Sequence, residues 1–252
     1  MRSFCSFGLV VSLGVACLIG APSAGAALSA PHAAAAAAAE RLAQPTITAR
    51  VIQPVTARGA PRPMAKPRMR LEGATAWSGV AQRLMVTGRH RDAMGRRWVR
   101  VQLPIRPNQT DGWVRAENVR LSTTRIRFEV HLGSRRTELW RGQRRLAVWP
   151  AGIGRPGTPT PVGRFAIQDP VQTLPEWRGV FGRYTLTLTA YSPTLLRFMG
   201  GNGLVAIHGA GTGRSWRVGE VSSYGCVILG ERALATAARY ARPGTPVIID
   251  RS

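Results

Sequence analysis

Leu204-Val205-Ala206-Ile207-His208-Gly209 is followed, past a polar stretch, by Ser223-Tyr224-Gly225-Cys226, and these two segments decide how the rest of the chain is read. Leu204 to Ile207 is a short, continuously apolar run of the kind that forms a buried strand, and it ends directly in His208-Gly209. A histidine at the exit of a core strand is held rigidly while one edge of its ring faces a cleft. Cys226 lies eighteen positions beyond His208. Gly225 in front of it lets the backbone turn tightly enough to aim amide N–H groups at a developing oxyanion. A free cysteine is only partly ionised near neutral pH, and a neighbouring imidazole favours the reactive thiolate. The competing reading of such a thiol is a buried, inert one.

Cysteine usage bears on that choice. The chain has three cysteines, and Cys5 and Cys17 fall in a stretch with the three-part logic of a secretion signal. Arg2 supplies the basic start, Phe7 to Ile19 the apolar run, and Ala24-Gly25-Ala26 the small-residue cleavage site. Cleavage after Ala26 leaves Cys226 alone, and an unpaired thiol in an oxidising compartment is a liability unless it performs chemistry. The apolar run is shorter than the roughly 20 residues that span a bilayer, so no stable membrane span is expected after cleavage. Of the four histidines, His32 lies in a linker, His90 in the first β block, and His131 on the polar face of a strand, where a solvated ring is expected. His208 is the credible base.

The formal net charge is +23, carried almost wholly by arginine, with Lys66 the single lysine. The arginines are scattered through strand-like patterns and form neither a basic arm nor an aromatic-interleaved stripe, which argues against nucleic acid as the partner. For an exported chain the relevant polyanions are acidic cell-wall polymers and peptide carboxylates, although a coding bias toward Arg and Ala accounts for the same composition. Charge therefore sets the neighbourhood and leaves the reaction open.

Working outward, residues 1–26 read as the signal and 27–45 as a low-complexity linker with Ala33 to Ala39 unbroken. Residues 46–122 read as a small β domain: Trp98 to Leu103 alternates, Arg106-Pro107-Asn108 breaks the chain, and Gly112-Trp113-Val114 restarts it. Residues 123–252 form a second β-rich block. Ile126, Phe128, Val130 and Leu132 alternate with Arg127, Glu129 and His131, the period of a strand with one buried face. The Pro/Gly-dense stretch from Arg155 to Phe165 predicts a rigid loop feeding a strand. Tyr184 to Tyr191 predicts another strand, and Glu231 to Ala241 a helix with Leu234, Ala237, Ala238 and Ala241 on one face, ended by Pro243-Gly244.

The segment Trp98 to Leu121 resembles the end of bacterial SH3-like domains, with a Trp-x-x-Val strand, a loop and a Gly-Trp-Val strand. Residues 123–251 resemble the L,D-transpeptidase catalytic domain. That family's signature is a histidine, fourteen to seventeen residues, then Ser/Thr-His-Gly-Cys; here positions 209 to 222 intervene before Ser223. Thr158 to Phe165 and Gly244 to Val247 match the family's proline-rich stretch and closing strand. The resemblance implies a mainly β protein, an SH3-like barrel followed by a β-sandwich-like catalytic domain with few helices. It implies an exported enzyme of the periplasm or cell wall, acting on peptidoglycan stem peptides with neither metal nor organic cofactor. Cys226 is then the nucleophile and His208 its base, oriented by the Gly209 carbonyl. Gly225 and Cys226 amides form the oxyanion site, which Ser223 and Tyr224 help shape.

Two positions depart from the pattern. Tyr224 replaces the second histidine and, with a pKa near 10, supplies a hydrogen bond but no base at neutral pH. Ile228 stands where Arg or Asn is usual, and cannot bind a carboxylate. Three outcomes therefore stand open: a transpeptidase making 3→3 cross-links, an L,D-carboxypeptidase that passes the acyl group to water, and a wall-binding protein with a degenerate site.

Overall fold

The computed structural model describes residue 40, residues 42–213 and residues 216–252. The expected signal, and all of the expected linker except residues 40 and 42–45, lie outside the described residues. Among those described, no helix is long and apolar enough to cross a membrane. Among the described residues the architecture is mainly β, with strands β1 to β17 and the α-helices Arg178–Phe181 (α1) and Glu231–Tyr240 (α2).

Strands β1 (Thr46–Val51), β2 (Val55–Arg58), β3 (Pro67–Leu71), β4 (Arg83–Arg91), β5 (Arg97–Gln102), β6 (Asp111–Arg115) and β7 (Val119–Thr124) make one sheet in the order β3-β2-β6-β5-β4-β1-β7, paired antiparallel throughout. Alternation puts Val99, Val101, Val114 and Val119 into its core with Ala49, Val51, Leu71 and Leu84. The Arg106-Pro107-Asn108 break falls between β5 and β6.

The second sheet has eight strands in the order β10-β9-β8-β17-β12-β13-β14-β16: β8 (Ile126–His131), β9 (Arg136–Arg141), β10 (Arg144–Pro150), β12 (Gly163–Gln172), β13 (Tyr184–Tyr191), β14 (Leu204–Gly209), β16 (Val227–Leu229) and β17 (Pro246–Asp250). Strand β12 belongs to two halves. Gly163 to Ala166 pair with β17, and beyond Ile167, where the register shifts, the strand pairs with β13. Both halves feed one core, with Phe128, Val130, Val247 and Ile249 from one side and Leu186, Leu188, Val205, Ile207, Val227 and Leu229 from the other, closed by Leu234 and Ala237 of α2. A two-stranded parallel pair, β11 (Ile153–Gly154) with β15 (Val221–Ser223), lies beside the nucleophile turn.

Strand β8 differs from expectation. Its polar face is covered: Arg127 and Glu129 are buried and paired at 2.5 Å, with the Arg127 guanidinium over the Trp140 ring at 4.7 Å. His131 is accordingly no solvated ring; its Nδ1 lies 3.0 Å from Asp250 and its Nε2 3.8 Å from Glu129.

The two sheets are joined by polar contacts that determine the site's outer wall. Asp169 of β12 is fully buried. Its carboxylate accepts the Trp77 and Ser78 N–H groups at 2.9 and 3.2 Å and the Ser78 hydroxyl, capturing the tip of a loop closed by Thr75 N–H to the Val80 carbonyl. Arg106 donates to the carbonyls of Ser192, Leu195 and Asn202 at 2.7, 2.9 and 3.1 Å. The Asn108 side chain pairs with both backbone groups of Tyr191, whose hydroxyl donates to the Pro104 carbonyl. Removing a buried carboxylate strands its donors. Asp169→Ala is expected to lower unfolding free energy by about 3–5 kcal/mol, measured by urea denaturation; a loss below 1 kcal/mol would mean that the loop does not depend on this anchor.

Candidate active site

Parallel pairing of β14 with β16 aligns Ile207 with Val227 and His208 with Ile228, which sets Cys226 level with Ala206. Because strand side chains alternate with period two, Cys226, Ala206 and His208 share a face. That face floors a cleft of about 420 Å³ lined by Cys226, His208, Ala206, Thr185, Thr187, Thr173 and Val171. Aromatic and apolar side chains wall it: Trp77, Leu174, Trp177, Phe181, Leu195, Phe198, Met199, Trp216 and Tyr224. Although the chain carries a net charge of +23, among the described residues no Asp, Glu, Lys or Arg lines this cleft.

His208 is 1% exposed. Its Nδ1 lies 2.7 Å from the Gly209 carbonyl, and since a carbonyl only accepts, Nδ1 carries the proton and Nε2 is left as the acceptor. Phe181 and Trp216 meet the imidazole edge-on, each at 5.1 Å, and stack on one another at 5.8 Å. Burial pushes the His208 pKa down to about 4, against a small upward pull from the Gly209 bond. Gly209 has no side chain because there is no room for one: a Cβ there would lie 2.2 Å from the Glu231 carboxylate at the start of α2.

Cys226 is half-buried and unpaired. Burial pushes its thiol up to about 11, and a backbone hydrogen bond with Ala206 draws it the other way. Burial thus favours the neutral forms of both thiol and imidazole, so that ionisation of Cys226 calls for a proton transfer.

The turn before Cys226 is clamped by Ser223. Its hydroxyl accepts the Gly225 N–H at 3.1 Å and donates to the Cys226 carbonyl at 2.6 Å, while its own carbonyl accepts Arg155 N–H at 3.1 Å and Thr158 Oγ1–H at 3.3 Å. The proline-rich loop therefore braces the nucleophile turn and is more than a connection. The Gly225 N–H, one of the two amides expected to face an oxyanion, donates to the Ser223 hydroxyl. What Gly225 contributes is conformation, with φ +112° and the Pro159 carbonyl 3.3 Å from where a Cβ would sit. Gly225→Ala is expected to cost about 1–3 kcal/mol in backbone strain and to lower the rate of Cys226 acylation, read from thermal melting and intact-protein mass spectrometry; an unchanged melt would contradict the strain.

Tyr224 is 39% exposed; its ring lies between the Arg155 guanidinium at 3.9 Å and Phe198 at 4.8 Å and forms a wall. Ile228 is fully buried and bridged through its backbone to Gly152. Its side chain belongs to the interior, so the position offers substrate nothing. The sequence reading missed Trp77, Trp177, Phe181 and Trp216. Trp177, Phe181 and Trp216 had a signal in the density of aromatics between β12 and β15, whereas Trp77, far off in sequence, had none. One further group, Glu129, His131 and Glu138, brings three potential ligand atoms within 4.8 Å, but Arg127 and Arg145 engage both carboxylates at 2.5 and 2.9 Å, and none of the three lines the cleft.

Stability should carry the signature of the neutral imidazole. With a folded pKa near 4 and an unfolded value near 6.5, the unfolded chain binds the extra proton between those values. The contribution is therefore present above pH 6.5 and lost as pH falls toward 4, by about 3 kcal/mol in all. Urea midpoints from pH 7 to 4 should fall in the wild type and fall less in His208→Gln; equal slopes would place the protonation elsewhere.

Residues 125–249 match the family model of the YkuD L,D-transpeptidase catalytic domain. Among solved structures, Bd1075 of Bdellovibrio bacteriovorus is similar at 22% identity and TM-score 0.40, over 50% of this chain and 48% of that one, so the alignment spans about half of its length. L,D-transpeptidase 3 of Mycobacterium tuberculosis is similar at 15% identity and TM-score 0.41, over 62% and 92%, and an L,D-transpeptidase of Mycobacterium smegmatis at 14% and 0.40, over 80% and 99%. No curated protein matches the chain.

Proposed function

Residues 125–249 are an L,D-transpeptidase catalytic domain, and from that premise we propose that the chain is an exported cysteine acyltransferase that forms 3→3 cross-links between peptidoglycan stem peptides. The observation that carries the reading is the β14/β16 register, which puts Cys226 and His208 on one face of the cleft with Nε2 as the acceptor. As Cys226 Sγ attacks the carbonyl of the third stem residue, His208 Nε2 takes the thiol proton. The tetrahedral oxyanion faces the Cys226 N–H. Collapse expels the terminal D-alanine, whose amine takes the proton from His208, and a thioester remains on Cys226. A side-chain amine of a second stem attacks the thioester, loses its proton to His208, and releases the thiolate, which recovers that proton.

The aromatic and apolar lining of the cleft supports an amine acceptor over water, because apolar walls disfavour water beside the thioester. Tyr224 and Ile228 weigh less against activity than their sequence suggested: one is a wall and the other is core. Residues 46–122 keep the SH3-like reading on the Trp98 to Leu121 pattern. The site of action is the periplasm or cell wall, where basic surface and acidic polymers meet.

The test is mass spectrometry of products after incubating the protein with a disaccharide-tetrapeptide. A dimer lacking one D-alanine supports the proposal. Tripeptide alone means a carboxypeptidase, and unchanged substrate means a binding protein.

A further inference from the structure

The cleft extends well beyond the reacting thiol, and its far end is built by the other sheet. Trp77 lies on the loop captured by Asp169, at β12, and is 57% exposed while lining the cleft. Strands β12, β13, β14 and β16 are successive neighbours, so three strand spacings, roughly 14 Å, separate the Asp169 anchor from Cys226. The loop is fixed: three hydrogen bonds from Trp77 and Ser78 end on one buried carboxylate, and Thr75 Oγ1 lies 3.0 Å from Ser78 Oγ. A large exposed indole on a rigid loop, aimed into a cleft, is a surface prepared for an occupant, since nothing else in the packing requires it there.

Resting on the transpeptidase reading, we propose that Trp77 is a specificity-determining residue that packs against the sugar ring bearing the donor stem. Distance selects the ligand. An extended peptide covers 3.3–3.6 Å per residue, so three residues back from the attacked carbonyl reach about 10 Å, and the linker to the sugar carries the ring to the neighbourhood of Trp77. Chemistry agrees: the cleft has no charged lining among the described residues, and a pyranose is a neutral ligand whose C–H face is apolar and flat, complementary to an indole. The first sheet thereby contributes directly to substrate choice.

The test uses full-length protein in a Cys226→Ala background, so that binding is read without turnover, and two probes, disaccharide-tetrapeptide and the same tetrapeptide without sugar. By calorimetry, adding Trp77→Ala is expected to weaken the disaccharide-tetrapeptide about tenfold and leave the free tetrapeptide unchanged, with Trp77→Phe restoring part of the loss. Thermal melting checks that each variant is folded. Equal weakening of both probes would make Trp77 a peptide contact, and weakening of neither would make it a bystander; either result overturns the proposal. If neither probe binds at all, the proposal falls together with the substrate assignment. Sugar-dependent binding in a protein whose wild type makes no product would remove the reaction and keep the subsite.

Discussion

Cys226→Ala protein is expected to lose acyl transfer from a tetrapeptide donor by a factor on the order of 10⁴ or more, leaving no product or thioester visible by mass spectrometry. Among the described residues, the hydroxyls nearest the thiol in sequence and in the sheet are poorly placed to replace it. Ser223 is the nearest aliphatic hydroxyl in sequence, but its oxygen is occupied by the Gly225 N–H and its proton by the Cys226 carbonyl, and Thr185 and Thr187 belong to β13, on the far side of β14. The fold should persist, because removing one sulfur from a half-buried site costs on the order of 1 kcal/mol, so a near-native melt accompanying the loss separates chemistry from stability. Cross-linking at more than a hundredth of the wild-type rate would remove Cys226 from the mechanism.

His208→Gln should lower kcat by roughly 10²–10⁴-fold, and its pH profile identifies the role. Glutamine retains a hydrogen-bonding group of similar reach but takes up no proton. In the wild type the base is neutral above its pKa of about 4, so the rate should be level through neutral pH and fall only toward acid. In the variant the thiol must ionise unaided, with a value near 11, so the rate should climb tenfold per pH unit on the alkaline side. Initial rates from pH 5 to 10 decide this. A variant with a lower rate but the wild-type profile would show that the imidazole only positions the thiol.

Local elements were legible where one physical rule governed them. Tyr184 to Tyr191 and Glu231 to Ala241 follow from alternation and from a four-residue apolar face; the strand is observed over that span and the helix ends one residue earlier, at Tyr240. Strand β8 was half legible: period two gave its span, but the second face is buried through an Arg127–Glu129 pair, which polarity alone reads as solvent-exposed. Cys226 and His208, the proposed nucleophile and base, stood out by residue type and order. The surroundings that set their protonation did not, because they depend on Phe181 of α1 and Trp216 packing against the imidazole. The commitment of the Gly225 N–H to Ser223 is likewise a matter of one hydroxyl rotamer. Trp77, about 150 residues before the thiol in sequence, joins the cleft only through a carboxylate on another sheet.

The Asp169 and Arg106 contacts also bear on where this molecule can be divided. Between β7 and β8 a single residue, Arg125, separates the strand ends at Thr124 and Ile126, and a protease or an engineer would see a natural seam. Yet a carboxylate, several main-chain carbonyls and the Tyr191 ring on the later half find their partners on the earlier one. A cut at that seam interrupts the covalent chain without releasing the pieces, so nicked protein should travel as a single species, and the two halves, produced separately and mixed, should reassemble into one working particle.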